Sequence, residues 1–157
     1  MKKIAIFVDV QNIYYTTRQE FNRQFNYKKL WQLISEKGEI IAATAYAIDR
    51  GDQKQINFQS ALKNIGYSVK LKPYIQRSDG SAKGDWDVGI AIDVLDAAKN
   101  ADIVVMLSGD GDFDLLLQKI RKDYSVYVEV YGVRSLTANM LIDSADEFHE
   151  INEKLLL

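Results

Sequence analysis

Two five-residue apolar runs, Ile4-Ala5-Ile6-Phe7-Val8 and Ile103-Val104-Val105-Met106-Leu107, constrain the fold more than any other feature of the 157-residue chain. Neither alternates with polar residues, so neither suits a strand with one wet face. Runs of this length and β-branched content read as central parallel strands buried on both sides. Each is followed at once by acid-bearing segments: Asp9 after the first, and Ser108-Gly109-Asp110-Gly111-Asp112 after the second.

Further apolar runs at Ile40 to Ile48, Tyr67 to Leu71 and Val126 to Tyr131 bring the expected strands to five. Between them the apolar spacing changes to that of helices. Tyr27 to Glu36 aligns Leu30, Trp31, Leu33 and Ile34, and Gln53 to Asn64 aligns Ile56, Ala61 and Leu62 before Gly66. Asp87 to Lys99 carries Ile90, Ala91, Val94 and Leu95, and Asp112 to Lys122 carries Leu115, Leu116 and Ile120. Strands alternating with helices predict βαβ units: a mainly parallel five-stranded sheet between two helical layers, in one domain over residues 1–157. Pro73 to Gly84, with the sole Pro and Ser78-Asp79-Gly80-Ser81, is expected to be a loop. At the end of the chain Phe148, Ile151 and Leu155 are expected on one face of a terminal helix, which packs back or supports a homodimer.

Composition closes off several chemistries. There is no Cys and only one His, His149, which excludes thiolate nucleophiles, zinc–thiolate sites and multi-histidine zinc. A net charge of −2 excludes a polybasic protein that grips nucleic acid by bulk electrostatics, though bound metal can supply positive charge locally. The apolar run after Lys2-Lys3 stops at Asp9, too short for a signal peptide, and no stretch nears the roughly 20 residues of a membrane span, so a cytoplasmic protein with no membrane partner is expected.

In a parallel sheet Asp9, Asp110 and Asp112 leave the same edge, where open α/β sheets bind their ligands. Asp87, in the first turn of the helix that feeds the fourth strand, can join them. Two carboxylates ~4–5 Å apart repel by roughly 3–4 kcal/mol at an effective dielectric near 20. A cluster of four needs protons or a cation, and oxygen-only ligands favour Mg²⁺ or Mn²⁺. Asn12 is placed to orient these groups, Ser108 either to do the same or simply to make a turn, and Lys83 either to meet a phosphate or simply to be solvated. Each acid also has a plainer role: Asp112 and Asp9 as helix caps, Asp87 as partner of a helix dipole. Asp49 and Asp85 lie near the same edge as weaker candidates. Tyr14, Tyr15, Tyr74 and Trp86 have faces that can stack on bases, or simply pack.

Competing motifs fail. Leu115 and Arg121 stand where an EF-hand needs Gly and Glu, and no P-loop or G-x-S-x-G elbow exists. Gln11 stands where a phosphoaspartyl enzyme would carry its second acid.

Four segments together resemble the NYN domain, in its bacterial LabA-like branch. Phe7-Val8-Asp9-Val10-Gln11-Asn12 is similar to its opening F-V-D-x-x-N, and Lys83-Gly84-Asp85-Trp86-Asp87-Val88 with Asp93 to its K-G-x-D-V…D, with one extra residue before Asp87. Ser108 to Phe113 resembles S-G-D-x-D-F, and Ser135-Leu136 with Asp143 to Phe148 resembles S-x-x-L…A-D-x-F. The resemblance implies a three-layer α/β/α PIN-like (Rossmannoid) fold and Mg²⁺- or Mn²⁺-dependent hydrolysis of RNA. It implies that Asp9, Asp87, Asp110 and Asp112 hold the metal, with Asn12 and Ser108 in support. Asp93, about 120° from Asp87 around the helix, is expected to be structural or to act behind the ligands. A non-catalytic RNA-binding or regulatory protein that keeps the metal is the second expectation, and a small-molecule phosphatase the third.

Overall fold

The computed structural model describes the chain except for Tyr74, residues 77–81 and Gly84; of Ile75, Gln76, Ala82 and Lys83 it describes the backbone alone. Among the described residues six strands form one parallel sheet: β1 (Lys3–Asp9), β2 (Glu39–Asp49), β3 (Ser68–Pro73), β6 (Ile103–Leu107), β7 (Tyr127–Gly132) and β8 (Glu147–Glu150). Two short strands, β4 (Ile75–Gln76) and β5 (Ala82–Lys83), pair as a separate antiparallel ribbon. The sheet order is β3-β2-β1-β6-β7-β8, so β1 and β6 lie side by side at the centre.

The helices are α1 (Val10–Phe21), α2 (Tyr27–Ser35), α3 (Gln53–Ile65), α4 (Asp87–Ala98), α5 (Asp114–Tyr124) and α6 (Asn139–Ser144). Successive side chains of β1 point to opposite faces and reach two separate cores. Ile4, Ile6 and Val8 pack with Ile13 of α1, Leu30 and Ile34 of α2 and Leu62 of α3. Ala5 and Phe7 pack with Ile90 and Val94 of α4, Leu117 and Ile120 of α5 and Leu141 of α6. All five residues from Ile4 to Val8 are buried, which explains the unbroken apolar run. Local chemistry sets the helix ends. Asn26 and Asp52 accept hydrogen bonds from the N–H groups of Lys29 and Gln55, at 2.9 and 2.8 Å. Gly66 ends α3 at φ 137°, a conformation that a side chain would strain.

Three expectations need correction. The sheet has six strands rather than five, because Glu147-Phe148-His149-Glu150 adds β8 beside β7. This edge strand of four residues has three charged or titratable side chains and no apolar run to announce it. Consequently Phe148 lies in β8 rather than on a terminal α-helix, and Ile151 and Leu155 are buried in the α1–α2–α3 core, Leu155 at the end of a short 3₁₀ turn over Glu153–Leu155. The chain end instead ties down α2's entry, with the Asn26 N–H donating to the Leu155 carbonyl at 2.7 Å. Finally, the segment from Pro73 to Gly84 is not wholly a loop, since it carries the β4–β5 ribbon.

Among the described residues no helix is long and apolar enough to cross a membrane.

Candidate metal centre

Sheet order reverses at β1: β2 and β3 lie on one side of it, β6 to β8 on the other. Chains that leave the ends of β1 and β6 therefore diverge to opposite faces and open a crevice, the place where doubly wound sheets bind ligands. Asp9 is the last residue of β1 and the N-cap of α1. Asp110 follows β6 by three residues, and Asp87 opens α4. One carboxylate oxygen from each of these three acids lies within 4.8 Å of the others.

The segments that hold them interlock. Ser108 is fully buried; its hydroxyl donates to the Asp9 carboxylate at 3.1 Å and accepts from the Asp110 N–H at 3.1 Å. The Asn12 side-chain carbonyl accepts from the Gly109 N–H at 2.8 Å, and the Asn12 N–H donates to Asp9 at 3.5 Å. The loops after β1 and β6 are thus cross-linked by two polar side chains. Gly109 permits this closeness: a Cβ there would lie 2.7 Å from the Leu136 carbonyl oxygen.

Charge crowding leaves its mark on two of the acids. Burial, with added repulsion from Asp110 and Asp85, raises the Asp9 pKa to about 6 against the lowering effect of the hydrogen bonds from Ser108 and Asn12. Burial, then the charge and hydrogen bond of Asp110, then Asp85 and Asp9, raise that of Asp87 to about 7. A hard divalent cation would replace the protons these acids retain. Three clustered carboxylates with no nitrogen or sulfur donor fit Mg²⁺ or Mn²⁺.

The other sequence candidates are distributed around this centre. Asp112 is exposed and stands outside the converging three; its N–H donates to Asp110 at 2.9 Å. It does not cap a long helix either, because a 3₁₀ turn over Gly111–Phe113 precedes α5 and Asp110 caps that turn. Asp85 is exposed and accepts from the Asp87 N–H at 3.2 Å. Asp93 accepts from the Tyr46 hydroxyl and from Lys70, both at 2.7 Å, an arrangement that ties α4 to β2 and β3. Asp49 accepts from the Gly51 N–H at 3.0 Å in the turn after β2. Lys83 pairs through its backbone with Ile75, but its side chain lies outside the described residues, as does Tyr74.

A second polar cluster went unnoticed in the sequence. Buried Glu129 of β7 receives Lys37 at 2.7 Å and the His149 Nε2 at 2.6 Å, and the same nitrogen is 3.0 Å from Glu147. Its members are scattered over more than a hundred residues, brought together by the β7–β8 pairing and by Lys37 from the turn between α2 and β2. The Lys37 ammonium already supplies a cation to the buried carboxylate.

Comparison with known proteins settles the family. The NYN domain model matches residues 3–152. The chain belongs to the NYN domain family. This NYN domain is 26% identical to the low amplitude and bright protein LabA of Synechococcus elongatus, over 96% of its own length and 84% of that protein. It is 50% identical to a protein of unknown function from Vibrio parahaemolyticus, whose crystal structure it matches with a TM-score of 0.94 over 99% of this chain and 96% of that one. A ribokinase from Giardia lamblia shares the fold alone: TM-score 0.51 at 12% identity, over 94% of this chain and 57% of that one.

Proposed function

We propose that this NYN domain is a metal-dependent ribonuclease that hydrolyses RNA phosphodiester bonds at the carboxylate centre. The observation that carries the reading is the convergence of Asp9, Asp87 and Asp110, from three distant stretches of chain, at the point where strand order reverses. Asp9, Asp87 and Asp110 would hold Mg²⁺ or Mn²⁺. Such an ion, when bound, lowers the pKa of water and stabilises charge on a phosphoryl oxygen.

The protein's own part is positional. Ser108 fixes one Asp9 oxygen and the Asp110 backbone at once, so both ligands share a single anchor. Asn12 holds the Gly109 backbone against the start of α1 and keeps the two loops in register. Asp112 lies two residues beyond Asp110 in the chain, exposed and outside the three. Lys83 follows in the family motif as a partner for the phosphate. None of the acids serves as a covalent nucleophile in this scheme.

Labelled single-stranded RNA, incubated with Mn²⁺ or with EDTA, tests the proposal. Wild type should cleave only with Mn²⁺, and the double variant Asp9→Asn/Asp110→Asn should not cleave. Persistent Mn²⁺-dependent cleavage by the double variant would sink the proposal.

The convergence of three acids, where the family motif provides four, favours a second reading: an RNA-binding regulator that keeps the metal for anchoring. RNA binding by wild type without turnover in Mn²⁺ selects it.

A further inference from the structure

On the α1–α3 side of the sheet a cleft of about 760 Å³ opens directly beside the carboxylate centre. Val10 and Gln11, which follow Asp9 in the chain, form one end of it. Ala47 and Ile48, which follow Asp9's strand partner Tyr46, form part of its wall. Its volume falls in the range of pockets that enclose small planar ligands.

The lining is that of a site for a flat ring with polar edges. Phe25, Phe58 and Leu62 supply apolar wall, and Tyr27 lies between them with edge-on ring contacts to Phe25 at 4.9 Å and Phe58 at 5.7 Å. Tyr27 is 8% exposed and lines the cleft. A phenol on a cleft wall can donate to water or to a ligand. Burial, then Tyr67 and then the Asp9 carboxylate push the Tyr27 pKa upward, so its O–H keeps its proton and can donate.

The rim carries the complementary charge. Arg18, Lys28, Arg50 and Lys54 line the cleft against a single acid, Asp52, in a chain whose net charge is −2. Tyr14 and Tyr15, 41% and 50% exposed, stand at the same rim, and Arg18 donates to the Tyr14 hydroxyl at 2.9 Å. Exposed tyrosines among cations are the composition of surfaces that take single-stranded nucleic acid, in which bases stack and phosphates meet positive charge.

We infer that this cleft is the subsite for an unpaired nucleobase of the strand whose phosphate lies on the carboxylate centre. The inference rests on the reading of that centre as a phosphodiester site, and it names the substrate class: single-stranded nucleic acid with a base free to leave the stack. A base in a duplex is held by its partner and its stacking neighbours, so it is the unpaired base that is free to enter. The Tyr27 hydroxyl and the Gln11 amide, both in the cleft lining, face the polar edge of the base. Phe58 and the apolar wall take its faces.

The test is equilibrium binding of a hexanucleotide RNA that carries one 2-aminopurine, followed by its fluorescence in Ca²⁺. The same hexanucleotide with an abasic site at that position is the control. Ala61→Trp fills the cleft from an exposed position on α3. Tyr27→Phe removes the hydroxyl and keeps the ring. Wild type should quench the fluorescence. Ala61→Trp should weaken binding by about tenfold, within the range that one base–aromatic stack contributes. Tyr27→Phe should weaken it by a few-fold, and neither variant should alter binding of the abasic strand. Near-ultraviolet circular dichroism checks that both variants keep their tertiary packing; if Ala61→Trp disturbs it, Tyr27→Phe alone decides. Equal affinity of both variants for the intact strand, equal wild-type affinity for intact and abasic strands, or no binding by wild type overturns the inference. The two readings fail separately. Cleavage with affinity indifferent to the cleft variants removes the base subsite and keeps the hydrolytic centre. Cleft-dependent quenching without any cleavage in Mn²⁺ does the reverse.

Discussion

Removing one negative charge from the carboxylate centre should make the metal-free protein more stable, and Asp87→Asn is the cleanest way to do it. Asp9, Asp87 and Asp110 bring one oxygen each within 4.8 Å of the others. At that separation each charged pair costs about 3–4 kcal/mol at an effective dielectric near 20. The substitution removes two of the three pairs. Most of that sum is not recoverable, because Asp87 is half-exposed and at neutral pH already carries a proton part of the time, its pKa being raised to about 7. A net gain of roughly 1–2 kcal/mol remains, which in a domain of this size is about 3–6 °C in melting temperature. The new amide can also donate to Asp110, replacing the hydrogen bond that the carboxyl makes there. Thermal unfolding by circular dichroism in EDTA measures this directly. With Mn²⁺ the order should invert: at a hundred times its dissociation constant the ion adds about 2.7 kcal/mol to wild type, while Asp87→Asn should lose most of that. If Asp87→Asn melts below wild type in EDTA and keeps the whole Mn²⁺ shift, Asp87 is neither crowded nor a ligand, and the centre has been drawn wrongly.

Ser108→Ala deletes a hydroxyl that serves Asp9 and the Asp110 backbone together, and a 10- to 100-fold loss of Mn²⁺ affinity is expected by titration calorimetry. Asp112→Asn, at an exposed position outside the three, should weaken Mn²⁺ binding by less than about threefold, well short of Asp110→Asn in the same titration; equal losses would place Asp112 among the direct ligands. Gly109→Ala puts a methyl 2.7 Å from the Leu136 carbonyl, and should cost about 1–3 kcal/mol in urea unfolding while also loosening the metal centre. Burial works to raise the Glu129 pKa, but hydrogen bonds from His149 and Lys37 prevail and lower it. Its contribution to stability is therefore complete above its unfolded value of 4.5 and fades as pH falls further, so Glu129→Gln should flatten the acid limb of the stability–pH curve below about pH 4.5.

The central strands, the main helices and the three converging acids were legible in the sequence for a common reason. Each depends on a short segment whose own pattern is strong: an unbroken apolar run, a helical period, or an acid set directly after a strand. What escaped depends on partners far away in the chain. Strand β8 exists because β7 offers an open edge to Glu147–Glu150, a segment with too few apolar residues to signal a strand. The buried Glu129 is tolerable only because Lys37 and His149 arrive from other elements. Asp112 shows the limit from the other side. Its motif places it beside Asp110, but the 3₁₀ turn over Gly111–Phe113 leaves it exposed and outside the set of three, a backbone detail that spacing does not encode.

The centre is held by an arrangement that separates its strain from the fold's stability. Apolar packing on both faces of β1 and β6 fixes the strand ends, and burial of each large side chain there is worth about 1.5–3 kcal/mol. Asp9 ends β1 and Asp110 lies three residues beyond β6, and Ser108 and Asn12 cross-link the segments that follow the two strands. Asp9 and Asp110 therefore cannot move apart to relieve their repulsion without breaking those hydrogen bonds. Held in this way, they can relieve it only by taking up a proton or a cation, and at neutral pH a hard divalent ion competes well for acids whose pKa values lie near 6 and 7. The same rigidity sets the cleft beside the centre, since Val10 and Gln11 continue directly from Asp9. On the proposed function, a strand that brings its phosphate to the carboxylate centre would meet the cleft wall at a position determined by β1.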